Sequence, residues 1–143
     1  MSRYRRTNSI VGNEFMRALL DTHTLLWCFN GDPSLSSRAQ RLIEDGSNEI
    51  LVSAASAWEI ATKVRLGKLP TGEQLVSDFE YFLRQLGFDG LPILLSHAIR
   101  AGTLAGDHRD PFDRMLISQA QAENLPIISN DRIFDVYHVR RIW

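Results

Sequence analysis

Four acidic residues stand where hydrophobic runs end: Asp21 after Leu19 and Leu20, Glu59 between Trp58 and Ile60, Asp113 after Pro111 and Phe112, and Asp131 shortly after Ile127 and Ile128. Carboxylates are hard oxygen donors of the kind that Mg²⁺ or Mn²⁺ takes. Two such cations roughly 3.5 to 4 Å apart can activate water on one side of a phosphodiester and stabilise the leaving oxygen on the other. Metal-assisted hydrolysis is therefore the chemistry to weigh first. Cys28 is the sole cysteine, which excludes an internal disulfide and a thiolate zinc site. His23, His97, His108 and His138 lack metal-ligand spacing and read as surface or capping residues. Lys63, Arg65, Arg109 and Arg114 could hold flanking phosphates.

Each acid also has a plainer role. Asp21 suits the N-cap of the next helix, and Glu59 has Lys63 four residues on, a pair that contributes about 0.2 to 0.5 kcal/mol on an exposed helix. In Asp110-Pro111-Phe112-Asp113, the first residue suits an N-cap, the second N1 and the last N3. Asp131 is an ordinary turn residue. On the helix carrying Glu59, Ala57, Ile60, Ala61 and Val64 form the expected core stripe, with Glu59 turned away from it. Asp113 shares a helical row with Ile117 and Ala120 and leans toward packed structure, where a carboxylate is costly without donors or a cation. One shared site explains the four positions better than four separate coincidences.

The elements that would position these residues follow from periodicity and punctuation. Strands are expected over residues 18–20, 50–54, 91–95 and 126–129, with an edge strand over 139–142. Helices are expected over 22–29, 36–45, 56–66, 72–86, 97–105 and 111–123. Alternating strands and helices mean a mainly parallel sheet covered on both faces. The fold class is therefore α/β, a single three-layer domain with a central sheet of four to five strands flanked by helices. The 143 residues, 44% of them hydrophobic, suit one domain. A formal charge of −1 does not advertise a polyanion binder. Residues 1–15, rich in Arg, Ser and Asn, read as a flexible extension to a domain over 16–143. No apolar run approaches the roughly 18 residues of a membrane span, and Arg3, Arg5 and Arg6 are followed by no signal-peptide core. A cytoplasmic protein without membrane association is expected.

The segments around Asp21, Glu59, Asp113 and Asp131, in this order and across residues 16–143, resemble PIN-domain nucleases, specifically the VapC-type toxins of type II toxin-antitoxin pairs. The resemblance implies a metal-dependent endoribonuclease, a homodimer, acting on RNA and held inactive by a cognate antitoxin. It implies a Mg²⁺ or Mn²⁺ site on Asp21, Glu59, Asp113 and Asp131, with a hydroxyl at Thr22 or Ser129 helping to order it. Asp21, Asp113 and Asp131 would hold one metal, while Glu59 positions a second metal or the attacking water. The alternative is a non-catalytic RNA-binding or regulatory module on the same fold. A haloacid-dehalogenase-like phosphatase would want Asp-x-Asp, whereas Asp21 is followed by Thr22 and His23. Leu25, Leu26, Trp27, Phe29, Trp58, Leu66, Phe79 and Phe82 are candidates for a dimer seam or antitoxin groove.

Overall fold

The computed structural model describes residues 15–143; the extension expected over 1–15 lies, Phe15 apart, outside the described residues. The chain runs β1 (Arg17–Leu20), α1 (Thr22–Asn30), α2 (Ser37–Glu44), β2 (Glu49–Ser53), α3 (Ala54–Arg65), α4 (Glu73–Ser77), α5 (Phe79–Leu86), β3 (Asp89–Leu91), α6 (Leu95–Thr103), α7 (Pro111–Glu123), β4 (Ile127–Ile128), α8 (Ile133–Val136) and β5 (Arg141–Ile142). The strands form one sheet in the order β3-β2-β1-β4-β5, and every pairing is parallel.

Helices cover both faces, which is why the central strands are apolar without alternation. Ala18, Leu20, Ile50, Val52 and Ile128 face one cluster, completed by Leu25, Ile43, Leu75, Leu83 and Leu86. Leu19, Leu51 and Ile127 face the other, built with Leu116, Ile117, Ala120 and Phe134. Helix ends follow local chemistry. Gly31 and Gly87 close α1 and α5 at φ 63° and 75°, the left-handed region that glycine enters without a Cβ penalty.

The expected α/β class, the parallel sheet and the helical cover are all observed. Three local expectations differ. The third strand is Asp89–Leu91 and not 91–95, because Pro92 has no N–H to extend the ladder past Leu91. The helix expected over 72–86 is broken at Asp78, whose φ of −148° and ψ of 59° separate α4 from α5. The single turn α8 was not anticipated. Of the eight residues considered for partner surfaces, Leu25 lies in the core, while Leu26, Trp27, Phe29, Phe79 and Phe82 pack against it. Trp58 and Leu66 are exposed. Among the described residues, no helix is long and apolar enough to cross a membrane.

The topology sets the place of the site. From β1 the chain moves outward through β2 to β3, then returns to the opposite side of β1 for β4 and β5. Strand order reverses between β1 and β4, and the carboxyl ends of parallel strands at such a reversal open a crevice. Asp21 follows β1 and Ser129 follows β4.

Candidate active site

Asp21 is only 6% exposed and answers two demands. Its Oδ1 accepts the Thr24 N–H at 2.8 Å, capping α1, and its Oδ2 accepts the hydroxyl of Ser129. The Thr24 hydroxyl donates to the Ile128 carbonyl at 3.0 Å, so the first turn of α1 is stitched to β4. Burial raises the Asp21 carboxyl above its ordinary value even though Ser129 and Thr24 oppose that rise. Ser129 thus orders Asp21. Thr22 does something else: its hydroxyl donates to Ser56 Oγ at 3.0 Å and ties α1 to α3.

That contact places Ser56 one turn before Glu59, on the same buried face of α3. The buried residues there are Ala55, Ser56, Glu59 and Ile60, which corrects the expected stripe. Ala61 is exposed, Ala57 and Val64 are half-buried, and Glu59 is buried. The reason is that α3 rests on other helices as well as on the sheet: Ser56 meets Thr22 of α1, and Trp58 packs edge-on against Phe112 of α7 with ring centroids 4.9 Å apart. The anticipated i,i+4 pair is real, with Lys63 Nζ 2.7 Å from Glu59 Oε2, although its acid is buried.

Asp113 lies in the first turn of α7. Asp110 caps that helix by accepting the N–H groups of Phe112 and Asp113 at 2.9 and 3.1 Å, and Pro111 stands at N1 as expected. The Asp113 carboxylate leans on His108, with Nε2 to Oδ2 at 2.9 Å. Burial pushes its carboxyl up, His108 opposes this, and the charges of Asp110 and Glu59 push it further up. Glu59 is thus near enough for its charge to act on Asp113, across the α3–α7 packing made by Trp58 and Phe112.

Asp131 stands apart from these three. It is exposed, its Oδ1 accepts the Ile133 N–H at 3.0 Å to start α8, and its own N–H donates to Ser129 Oγ at 2.9 Å. It is therefore a rim residue, joined to Asp21 through Ser129. Among the basic candidates, Lys63 is paired with Glu59, and Arg114 donates to the carbonyls of Ala101, Leu104 and His108, where it braces a loop. Arg65 and Arg109 are exposed.

His97 is buried, which corrects its reading as a surface residue and keeps its capping role. Its Nδ1 accepts the Leu94 N–H at 3.1 Å, which leaves Nε2 to donate to Glu123 at 3.0 Å. Sequence reasoning missed its neighbour Gln119. Gln119 Oε1 accepts the Ser53 hydroxyl at 2.6 Å, while Nε2 donates to the Pro92 carbonyl at 3.1 Å. Ser53 also caps α3 through the Ala55 N–H. This bridge joins the helix bearing Glu59 to the helix bearing Asp113. Its signal in the sequence is a polar residue closing the apolar run Ile50-Leu51-Val52 and another interrupting the buried face of α7.

Among the described residues, no three His, Cys, Asp or Glu side chains are arranged together as ligands of one ion. Each carboxylate is instead turned to a protein donor: Ser129 and Thr24 for Asp21, Lys63 for Glu59, His108 for Asp113. The donor chemistry fits a hard divalent cation. All offer carboxylate oxygens as donors; burial holds the Asp21 and Asp113 carboxyls above the ordinary carboxylate range, and the charge of Glu59 adds to the rise at Asp113.

Comparison with known proteins agrees with this architecture. Over 62 residues the chain is 42% identical to Ribonuclease VapC16 of Mycobacterium tuberculosis, a match covering 43% of this chain and 43% of that protein. In three dimensions it is similar to VapBC2 from Rickettsia felis, in a crystal structure with a promoter DNA fragment, at a TM-score of 0.64 and 20% identity over 89% of this chain and 98% of that one. DNA-bound VapBC from Salmonella typhimurium gives a TM-score of 0.63 at 17% identity, over 90% of this chain and 98% of that one. At such identities the likeness is one of fold. The family model for the PIN domain matches residues 18–139, from β1 through α8, and the chain belongs to that family.

Proposed function

We propose that this chain is a metal-dependent endoribonuclease that acts as the toxin of a type II toxin-antitoxin pair. The observation that carries the reading is the buried carboxylate of Asp21 at the strand-order reversal, tied through Ser129 to β4 and through Thr22 and Ser56 to the helix bearing Glu59. A metal-binding role offsets a burial that otherwise disfavours the ionised form.

Mg²⁺ or Mn²⁺ would be held by Asp21, Glu59 and Asp113 with Asp131 at the rim, and when bound supplies Lewis-acid polarisation of the phosphate and a more acidic attacking water. Ser129 and the Thr24 N–H fix the orientation of the Asp21 carboxylate. Lys63 and His108 satisfy Glu59 and Asp113 from the protein side, and each must yield part of that contact for the acid to serve a ligand. Arg65 and Arg109, exposed beside the cleft-bearing helices, hold flanking phosphates.

The solved relatives are VapBC complexes, and a cognate antitoxin that inserts a basic side chain into the acidic cleft is part of this reading. Its binding should weaken with salt and compete with metal. A homodimer is the corresponding assembly. The test is cleavage of a panel of structured RNAs by purified protein in Mg²⁺ or Mn²⁺, with EDTA and Asp113→Asn as controls. Metal-dependent cuts that vanish in the variant support the nuclease. A folded protein that binds RNA but takes up no Mn²⁺ would favour the non-catalytic module instead.

A further inference from the structure

A hollow of about 600 Å³ lies between the loop after α6 and the α8 turn, lined by Leu104, Gly106, His108, Ile133, Val136 and Tyr137. Two hydrogen bonds join its walls to candidate carboxylates. On the loop side, His108 Nε2 lies 2.9 Å from Asp113 Oδ2; on the α8 side, the Ile133 N–H donates to Asp131 Oδ1 at 3.0 Å. Each wall of the hollow thus touches a candidate carboxylate, and the hollow belongs to neither core cluster's interior.

Its loop wall is built in advance. Arg114 grips the carbonyls of Ala101, Leu104 and His108, holding the loop at both ends. In the middle, Gly106 has a φ of 103° and passes so close to Tyr137 that a Cβ there would stand 2.5 Å from the phenol oxygen. On the opposite side Val136 is 67% exposed, a large apolar side chain at the mouth. Asp107 and His138 add hydrogen-bonding groups at the edge.

A volume in this range suits a small organic group. Apolar side chains and a phenol ring against its faces, with acceptors and donors at its edge, match a flat heteroaromatic ring. Proteins that recognise RNA by sequence do so mainly on unpaired bases, which can be splayed out and stacked. We propose that this hollow is a nucleobase subsite: it receives one unpaired base flanking the phosphate at the acidic cleft and so sets where the strand is cut. The inference rests on the nuclease reading for the cut, and on the hollow alone for the base.

The test uses fluorescein-labelled octaribonucleotides that are abasic throughout or carry one base at a single position. Binding is measured by anisotropy in EDTA, and cutting in Mn²⁺. In the wild type one base should tighten binding about tenfold, the scale of base–aromatic contacts, and cuts should fall at a constant distance from that base. Val136→Trp, which fills the mouth from an exposed position, should abolish both effects, while Val136→Ala keeps them. No gain from a base in the wild type, or a gain that survives in Val136→Trp, would overturn the subsite. Cutting without base dependence overturns the subsite and leaves the nuclease standing. Base-dependent binding without any cutting does the reverse.

Discussion

Ser129→Ala isolates the contact on which the candidate site depends. Ser129 is fully buried, and its Oγ both donates to Asp21 Oδ2 and accepts the Asp131 N–H at 2.9 Å. Asp131 is exposed, so water replaces the second bond at little cost. Asp21 is buried and keeps only its contacts with Thr24 among the donors described for it, so the first bond is not easily replaced. A hydrogen bond to a charged group contributes about 1.5 to 3 kcal/mol, against roughly 0.5 to 1.5 kcal/mol between neutral groups. Ser129→Ala should therefore lose about 2 kcal/mol at neutral pH in EDTA. With a urea m-value of about 1 to 3 kcal/mol/M, the unfolding midpoint falls by roughly 1 M. In an Asp21→Asn background the partner is neutral, and the same substitution should cost at least about 1 kcal/mol less. Urea unfolding of the wild type, the two single variants and the double variant measures both quantities. A loss below about 0.5 kcal/mol, or an equal loss in both backgrounds, would refute the idea that Ser129 holds an ionised Asp21.

Burial raises the folded-state pKa of Asp21 and Asp113 above the unfolded value of 3.8, so between those values the folded chain binds more protons. Their contribution to stability is fully present below about pH 3.8 and is lost as pH rises through the folded values. Wild-type stability minus that of Asp21→Asn/Asp113→Asn, followed against pH in EDTA, should therefore decline; a difference that grows with pH would contradict it. Gln119→Leu strands the Ser53 hydroxyl and the Pro92 carbonyl and should cost about 3 kcal/mol by urea unfolding. A cost under about 1 kcal/mol would show that the bridge between α3 and α7 carries little. Burial pushes the Cys28 thiol up to about 12, which leaves almost no thiolate at pH 8. A thiol reagent should label it only after denaturation, and prompt labelling of native protein would refute its burial.

How far the sequence could be read depended on whether a residue's role was local. β1, β2 and β4 were legible because burial on both faces leaves an unbroken apolar run, as in Ala18-Leu19-Leu20. The third strand was displaced because Leu91-Pro92-Ile93-Leu94-Leu95 is as apolar as a strand, while the true one contains Gly90 and an exposed Asp89. Apolar spacing continues from Leu75 to Phe79 and Leu83 straight through the break at Asp78, so periodicity could not reveal it. Four residues of α8 are too few to show any period. The capping roles of Asp21 and Asp110 were readable one turn away, and both are observed.

Glu59 marks the limit of pattern reading. An aliphatic stripe predicts which face of a helix is buried only when what lies opposite is apolar. Here α3 meets the Thr22 hydroxyl from α1 and the charge of Asp113 from α7, so its buried face carries Ser56 and Glu59 while Ala61 is left in solvent. A helix selected for packing alone would reverse that choice, since an alanine or leucine at position 59 would avoid desolvating a carboxylate beside another. The two apolar clusters offset that cost from either side of the sheet. The face that breaks the packing rule is the one that meets Thr22, next to Asp21, and lies within reach of the charge of Asp113, a relation to α1 and α7 that spacing along the chain could not show.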